Sequence, residues 1–353
     1  MKNYDCVVIG GGQSGLYISN LLRNKDISYI LLERDQVGQV WENRWEGLRL
    51  FTSRQFCGLP GLAFKGEPYT FPTAQEMAEY LRDFAKSMNL LIRESSEVTN
   101  LSKENGQFII TLKTAETLKA KAVIIATGSN QIPIIPPFSK NLSKDVLQFN
   151  GALKSLQTIP EKSRVVVVGD GATGRQIAGN LTKRCDVTLA TGRPRALPPG
   201  TILGKDLFWW LNIIGVLKAD KHSKVARLLR DRNPVPCGNF NDQRLKTMGV
   251  RIVGRAQDCS DRSILFEGSQ TAEADVVVWA MGYRDNTDWL KLTNCINEKE
   301  FVEEYGTMPE PGLFIIGRKW LSCRASELIM GLPQDADRVV RELEKYLTKQ
   351  QIL

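Results

Sequence analysis

The 353-residue sequence predicts an α/β fold made of two similar units, the second inserted into the first. Three observations predict it. Two turns of the pattern Gly-x-Gly-x-x-Gly begin at Gly10 and Gly169, and each follows a short apolar run and opens a helix-patterned segment. A second apolar run follows each helix. A further strand-and-glycine segment, 311–317, and a closing helix come only after the second unit is finished, so the first unit resumes at the end of the chain. Strand, glycine turn, helix and strand in that order are the signature of a Rossmann-like dinucleotide-binding domain.

In the first unit Cys6-Val7-Val8-Ile9 is the strand, and Tyr29-Ile30-Leu31-Leu32 the one after the helix. Gly10 makes the tight turn, Gly12 lets a pyrophosphate approach the backbone, and Gly15 lets the helix pack on the strand. The helix N-terminus offers free N–H groups and a positive dipole end to the phosphates. Glu33, eighteen residues past Gly15, is placed to accept hydrogen bonds from a ribose diol. The stretch from Gly38 through Trp41 to Thr52 has no regular period. Its tryptophans and its arginines, Arg44 and Arg49, read either as a cofactor or substrate wall or as packing under a long loop.

Thr73 and Glu76 have capping-box spacing and open a helix to about Met88. Residues 97–125 read as a small β-meander turning at Asn105-Gly106. Its last strand runs into Thr127-Gly128, where glycine lets the backbone approach a ligand at the strand's carboxyl end. Pro133, Pro136 and Pro137 read as a linker.

The second unit runs Val165–Val168, then Gly169, Gly171 and Gly174, a helix to about Lys183, and the strand Val187–Ala190. No acid ends this strand. Arg193 lies nineteen residues past Gly174, with Arg195 beside it. A carboxylate suits a free 2′-hydroxyl, whereas arginine suits a 2′-phosphate. The first site is therefore expected to hold an adenine dinucleotide without a 2′-phosphate, and the second NADPH.

Residues 203–217 are apolar nearly all round and predict one helix, buried between domains or lining a substrate pocket. A basic helix is expected over 221–232, and docking of the pair on a membrane surface is the sharper alternative. Residues 249–283 repeat the earlier layout and end in Ala280-Met281-Gly282-Tyr283. The segment 311–317 is a strand ending in Gly317, and a helix from about Pro333 to Leu347 closes the chain. The expected domains are 1–150 with 285–353, and 151–284 inserted between them.

Composition narrows the function. A hydrophobic content of 42% with 24% charged residues fits an ordinary globular chain. The net charge of +8 accumulates after the second glycine turn, and no nucleic-acid motif accompanies it, so an anionic cofactor explains it better than DNA or RNA. Seven widely spaced cysteines without a Cys-x-x-Cys argue against a disulfide framework, a zinc site and a dithiol redox pair. The single histidine, His222, excludes a multi-histidine metal site. No apolar run reaches a membrane-spanning length and no signal peptide is legible at the N-terminus, so the expected location is cytoplasmic.

Two dinucleotides in one chain need complementary roles. Nicotinamide gives a hydride, and FAD takes one and carries no 2′-phosphate, which fits Glu33. The expected protein is an NADPH-reduced FAD oxidoreductase.

At this point the sequence resembles the two-dinucleotide flavoproteins, specifically class B flavin-containing monooxygenases, and most of all their short bacterial members, some of them linked to potassium transport. The more specific matches are Gly38-x-x-Trp41, Leu48-Arg49-Leu50-Phe51-Thr52, Leu59-Pro60-Gly61, Arg193-Pro194-Arg195 and Trp279-Ala280-Met281-Gly282-Tyr283-Arg284. The resemblance implies FAD on Gly10, Gly12, Gly15, Glu33, Trp41, Gly128 and Gly317. It implies NADPH on Gly169, Gly171, Gly174, Arg193 and Arg195. It also implies a C4a-(hydro)peroxyflavin that passes one atom of molecular oxygen to a small soft nucleophile or beside a carbonyl. Two features depart from the family pattern. The stretch Phe138 to Phe149 lacks the histidine and glycine of the family fingerprint, and Met281-Gly282 stands where Thr-Gly is usual. No acid–base catalyst is assigned; Arg49, Ser53 and Gln148 are wall residues only. A flavin or disulfide reductase, with Cys57 or Cys323 acting alone, and a redox-sensing flavoprotein that regulates a partner stay open beside the monooxygenase. So does a homodimer.

Overall fold

The computed structural model describes residues 2–150 and 153–352. The first unit opens with β1 (Asn3–Ile9), α1 (Gln13–Arg23), β2 (Tyr29–Leu32), the single turn α2 (Gln39–Glu42), α3 (Ala74–Ser87) and β3 (Ile92–Arg93). The meander β4 (Val98–Glu104), β5 (Gln107–Leu112) and β6 (Thr117–Ile125) follows. The capping box forms as the sequence predicts: the Glu76 N–H donates to Thr73 Oγ1 at 3.2 Å, and the Thr73 N–H donates to the Glu76 carboxylate at 2.8 Å.

Next come β7 (Ile132–Pro133), β8 (Leu147–Asn150), β9 (Arg164–Val168), α4 (Ala172–Leu181) and β10 (Asp186–Ala190). A hairpin of β11 (Thr201–Ile202) and β12 (Lys205–Asp206) precedes α5 (Leu207–Ile213), α6 (Lys224–Arg232) and α7 (Asp242–Thr247). Then β13 (Arg251–Val253), the antiparallel trio β14 (Ala256–Ser260), β15 (Ser263–Phe266) and β16 (Gln270–Glu273), and β17 (Val276–Trp279) complete the second unit. The chain returns through β18 (Tyr283–Arg284), β19 (Ile296–Asn297), β20 (Glu300–Phe301), β21 (Leu313–Ile315) and α8 (Leu332–Ile352).

The first sheet has the order β3-β2-β1-β6-β5-β4, and β21 pairs in parallel with β6 in the register Phe314↔Ile124. The second is β13-β10-β9-β17-β8, all parallel. Because β21 belongs to the first sheet, the second domain is an insertion within the first. Alternate residues of the second sheet feed two cores. Val165, Val167, Val276 and Val278 face one, and Val166, Val168, Val277 and Trp279 the other. Burial on both faces is why these strands read as continuous apolar runs.

The crossing point differs from the expectation. Strand β8 pairs with β17, in the register Gln148↔Val277, so the residues just before 150 lie in the second sheet. The chain crosses earlier, at β7, which pairs antiparallel with the returning β18. The two linkers thus form one short ribbon. The sequence suggested a boundary at 150 because β8 has exposed and half-exposed positions and no continuous apolar run.

The expected helix over 203–217 is also shorter. Leu203 and Gly204 take positive φ angles in a hairpin turn, and Gly215 at φ +73° ends the helical path, which leaves seven residues in α5. Apolar residues all round suggested one buried helix; in fact Phe208 and Leu217 pack against Cys323, Ala325 and Leu328 of the returning chain while Ile213 and Ile214 stay exposed. The basic helix begins later than expected, at Lys224, where the Ser223 hydroxyl accepts the Ala226 N–H at 3.1 Å.

Candidate functional site

The two glycine turns are built alike. At Gly10, φ is +110° and an added Cβ would lie 2.6 Å from the Ala126 carbonyl oxygen. At Gly169, φ is +112° and the Cβ would lie 2.7 Å from the Ala280 carbonyl carbon. Only glycine fits either position. A Cβ on Gly15 would overlap the Gly10 carbonyl, and one on Gly174 the Gly169 carbonyl, so each third glycine lets its helix press on its turn. The middle glycines are the opposite. A Cβ on Gly12 or Gly171 would meet nothing within 4 Å. Each turn therefore leaves an open cradle above its middle glycine, against the N-terminus of α1 or α4, where a pyrophosphate would lie.

Glu33 is brought to the first turn. Its Oε2 accepts the Gly11 N–H at 2.5 Å and its Oε1 the Asp35 N–H at 3.0 Å. These bonds fix the carboxylate beside the cradle and leave lone pairs for a diol. Gly128 and Gly317 are brought there too. Gly10 packs on Thr127, a Cβ on Gly317 would lie 2.5 Å from the Ser14 hydroxyl at the start of α1, and the Ser129 hydroxyl donates to the Gly317 carbonyl at 3.4 Å. Gln131 ties this corner to the returning linker, donating to the Gly128 carbonyl at 2.7 Å and accepting the Asn286 N–H at 2.8 Å. Trp41 packs on the first core from the end of α2, and its buried indole N–H has no partner among the described residues.

The second turn also carries an acid of its own, paired with arginine, which the sequence reading missed. Here the acid is inside the turn: buried Asp170 accepts the Gly192 N–H at 3.3 Å. Its carboxylate lies 3.6 Å from Arg175 and 3.7 Å from Arg195. Arg175 is buried at the start of α4 and also donates to Asp242 at 2.7 Å. Arg195 is thus held at the turn, and its buried Nε has no partner among the described residues. Arg193 is exposed, with no ion pair among the described residues. An acid between two turn glycines, with an arginine five residues on, was the available signal.

The loop after α2 joins the domains. Trp45 is buried in the core of the second domain, and Gly47 leaves room for its ring. The Arg44 guanidinium donates to the Tyr283 hydroxyl at 2.6 Å. Gln176 of α4 donates to the Arg49 carbonyl at 3.2 Å and accepts the Arg49 N–H at 3.3 Å. Of the wall residues, Arg49 is on this joint. Ser53 is buried and gives its N–H to Asp206 at 2.8 Å. Gln148 accepts the Trp279 indole N–H at 3.0 Å, so it braces the second sheet. In the Phe138–Phe149 stretch Leu142 and Val146 are buried and Phe138 packs edge-on against Trp279 at 6.0 Å, while the charged positions between them are exposed. A separate cleft of about 460 Å³ between residues 54–68 and Ile329, Met330 and Pro333 touches neither glycine turn.

The cysteines do not form a reactive set. Six of the seven are buried, and all are free. Burial pushes the Cys57 thiol up to about 11, and its Sγ lies 3.3 Å from the Ser53 carbonyl oxygen. Cys323 is fully buried among Leu217, Ala325 and Leu328. The described residues contain no cluster of ligands able to hold a metal, and no helix long and apolar enough to cross a membrane.

Two matched cradles, one in each of two nested Rossmann domains, define a two-dinucleotide oxidoreductase fold. The family model for pyridine nucleotide-disulphide oxidoreductases matches residues 7–198, and the chain belongs to that family. It is 31% identical to an uncharacterized oxidoreductase, CzcO, of Bacillus subtilis, covering 96% of this chain and 99% of that one. It is 24% identical to indole-3-pyruvate monooxygenase YUCCA6 of Arabidopsis thaliana, over 96% of this chain and 90% of that protein. A flavin-containing monooxygenase from Stenotrophomonas maltophilia has the same fold, with a TM-score of 0.81 at 23% identity, over 98% of this chain and 99% of the other.

Proposed function

We propose that the chain is an FAD-dependent oxidoreductase reduced by NADPH, which uses molecular oxygen to oxygenate a small substrate, either a soft nucleophile or a carbonyl compound. The observation that carries this reading is the pair of like-shaped cradles with opposite charge at the ribose-reading position. Glu33 stands at the first, and Arg193 with Arg195 at the second. The carboxylate rejects a 2′-phosphate and the guanidinium groups favour one. The open space over Gly12 and Gly171, and the buried Trp41 indole nitrogen and Arg195 Nε that lack a partner among the described residues, fit two bound dinucleotides. The likeness to YUCCA6 and to the Stenotrophomonas monooxygenase supports oxygen chemistry over simple reduction.

Bound together, the two groups supply a hydride donor, a hydride acceptor and, with oxygen, a means of oxidising substrate. The protein's part is to bind, orient and exclude water. In this reading the N-termini of α1 and α4 hold the pyrophosphates over Gly12 and Gly171. Glu33 accepts from the ribose of FAD. Gly128 and Gly317, beside the first turn, and Trp41 would line the FAD, and Arg193 and Arg195 would hold the 2′-phosphate of NADPH. Asp170 keeps Arg195 at the turn until phosphate arrives. The loop from Arg44 to Arg49 joins the two halves. A disulfide reductase would need a reactive thiol, and the burial of Cys57 and Cys323 disfavours it.

The test is anaerobic titration of the purified protein. The reading expects FAD at one per chain, bleached by NADPH much faster than by NADH. Failure of both nucleotides to bleach the flavin would overturn it, and slow reduction with tight NADP⁺ binding would favour a redox sensor.

A further inference from the structure

The segment 200–232 carries a surface that neither cradle uses. Leu203 is 87% exposed at the tip of the β11–β12 hairpin. Its φ of +48°, followed by +74° at Gly204, makes a two-residue left-handed turn of the kind that favours Asn-Gly. Leucine is disfavoured there twice, by the backbone region and by water. Ile213 and Ile214 at the end of α5 are 59% and 63% exposed. The Trp210 indole donates to the Ile202 carbonyl at 3.0 Å, so the hairpin is tied to α5 one helical turn before these isoleucines. Helix α6 flanks them: its Leu229 shares a small apolar cleft with Leu211 of α5, while Val225 and Leu228 are exposed.

The charge around these tips is one-sided. Lys218, Lys224, Arg227, Arg230 and Arg232 are all exposed. Of the three acids between Gly200 and Asn233, Asp206 is buried as the cap of α5, and Asp220 accepts the Tyr305 hydroxyl at 2.6 Å. Asp220 is itself exposed and the Tyr305 hydroxyl favours its charged form, so it and Asp231 offset two of these five cations and leave an excess of positive charge.

We propose that this face docks on an anionic lipid bilayer, with Leu203, Ile213 and Ile214 entering the acyl boundary and the lysines and arginines meeting lipid phosphates. Charge selects this occupant. A second copy of the chain, in a two-fold contact, would set this cationic patch against itself. A protein partner would have to offer a pocket to a protruding turn, which a fluid lipid surface accommodates without one. The proposal stands apart from the redox reading, because it uses none of the cofactor residues.

Co-sedimentation with vesicles tests it. The purified flavoprotein should bind phosphatidylcholine vesicles that contain phosphatidylglycerol, bind pure phosphatidylcholine far less, and lose most of its binding in high salt. Leu203→Asn should weaken the partition about tenfold, and the double change Ile213→Ser, Ile214→Ser by at least as much. Asparagine suits the left-handed turn, so Leu203→Asn should keep or raise the Tm, which separates docking from folding. Equal binding to both vesicle types, no binding to either, or full binding by the variants would overturn the proposal. A concentration-dependent dimer abolished by Leu203→Asn would overturn it in favour of a self-association face.

Discussion

Replacing Gly171 and Gly174 by alanine, one at a time, separates what the second glycine turn does for folding from what it does for a ligand. At Gly174 the new methyl would overlap the Gly169 carbonyl oxygen and come within 3.0 Å of its carbon, with Ala280 Cβ at 3.3 Å on another side. Ordinary contacts begin at 3.4 Å, and the blocking atoms are mostly backbone, so α4 must lift from the sheet. Overpacking of this kind costs about 1–3 kcal/mol, and a displaced helix belongs at the upper end. In a domain of this size that is a fall of roughly 6–12 °C in Tm. At Gly171, φ is −69° and ψ 178°, an extended conformation that alanine adopts freely, and the methyl meets nothing within 4 Å. There the fold should gain about 0.4–1 kcal/mol through the unfolded chain. The same methyl stands where a pyrophosphate would approach, and a loss of about 2–3 kcal/mol, roughly 30–150-fold in Kd, is expected for NADPH. Thermal unfolding by circular dichroism and NADPH titration by calorimetry read the two effects separately. A Gly171→Ala protein that binds NADPH like the parent, or that unfolds as early as Gly174→Ala, would refute the assignment of these roles.

Arg193→Ala should weaken NADPH by about 1.5–3 kcal/mol, roughly ten- to a hundredfold, and leave NADH unchanged, as read by titration with both nucleotides. The Cys57 thiol, pushed up to about 11 by burial, should resist alkylation in the native protein at about pH 8, where about one molecule in a thousand is thiolate. Its folded pKa lies above the unfolded one, so its contribution to stability is complete below the ordinary thiol range and is lost as pH rises toward about 11. Denaturant midpoints across that range should fall, and Cys57→Ala should flatten part of the fall. Trp45→Ala should destabilise the second domain by about 3–5 kcal/mol, seen in urea melts, because the ring fills that domain's core from a loop of the first.

Much of this was legible in the sequence because glycine turns between apolar runs have few structural solutions. The positions of Gly10, Gly15, Gly169 and Gly174 follow from sterics alone, and Glu33 lies at the first turn as its spacing implies. What escaped the sequence depends on contacts distant along the chain. Strand β8 is recognisable only from its partner β17. Trp45 reads as a loop aromatic until the other domain's core is seen around it. Asp170 and Arg175 look like ordinary surface charges until the fold buries them together. The 203–217 segment misled because apolar content suggests burial, whereas a left-handed Leu-Gly turn leaves its tip in solvent.

The central claim is that electrons pass from NADPH through FAD to oxygen held for use on a substrate. The most direct measurement is anaerobic reduction with NADPH followed by rapid mixing with oxygenated buffer, recording the flavin spectrum. The account predicts fast bleaching, then a persistent near-ultraviolet band distinct from oxidised flavin that decays faster when substrate is present. Immediate return of the oxidised spectrum with release of peroxide would contradict it.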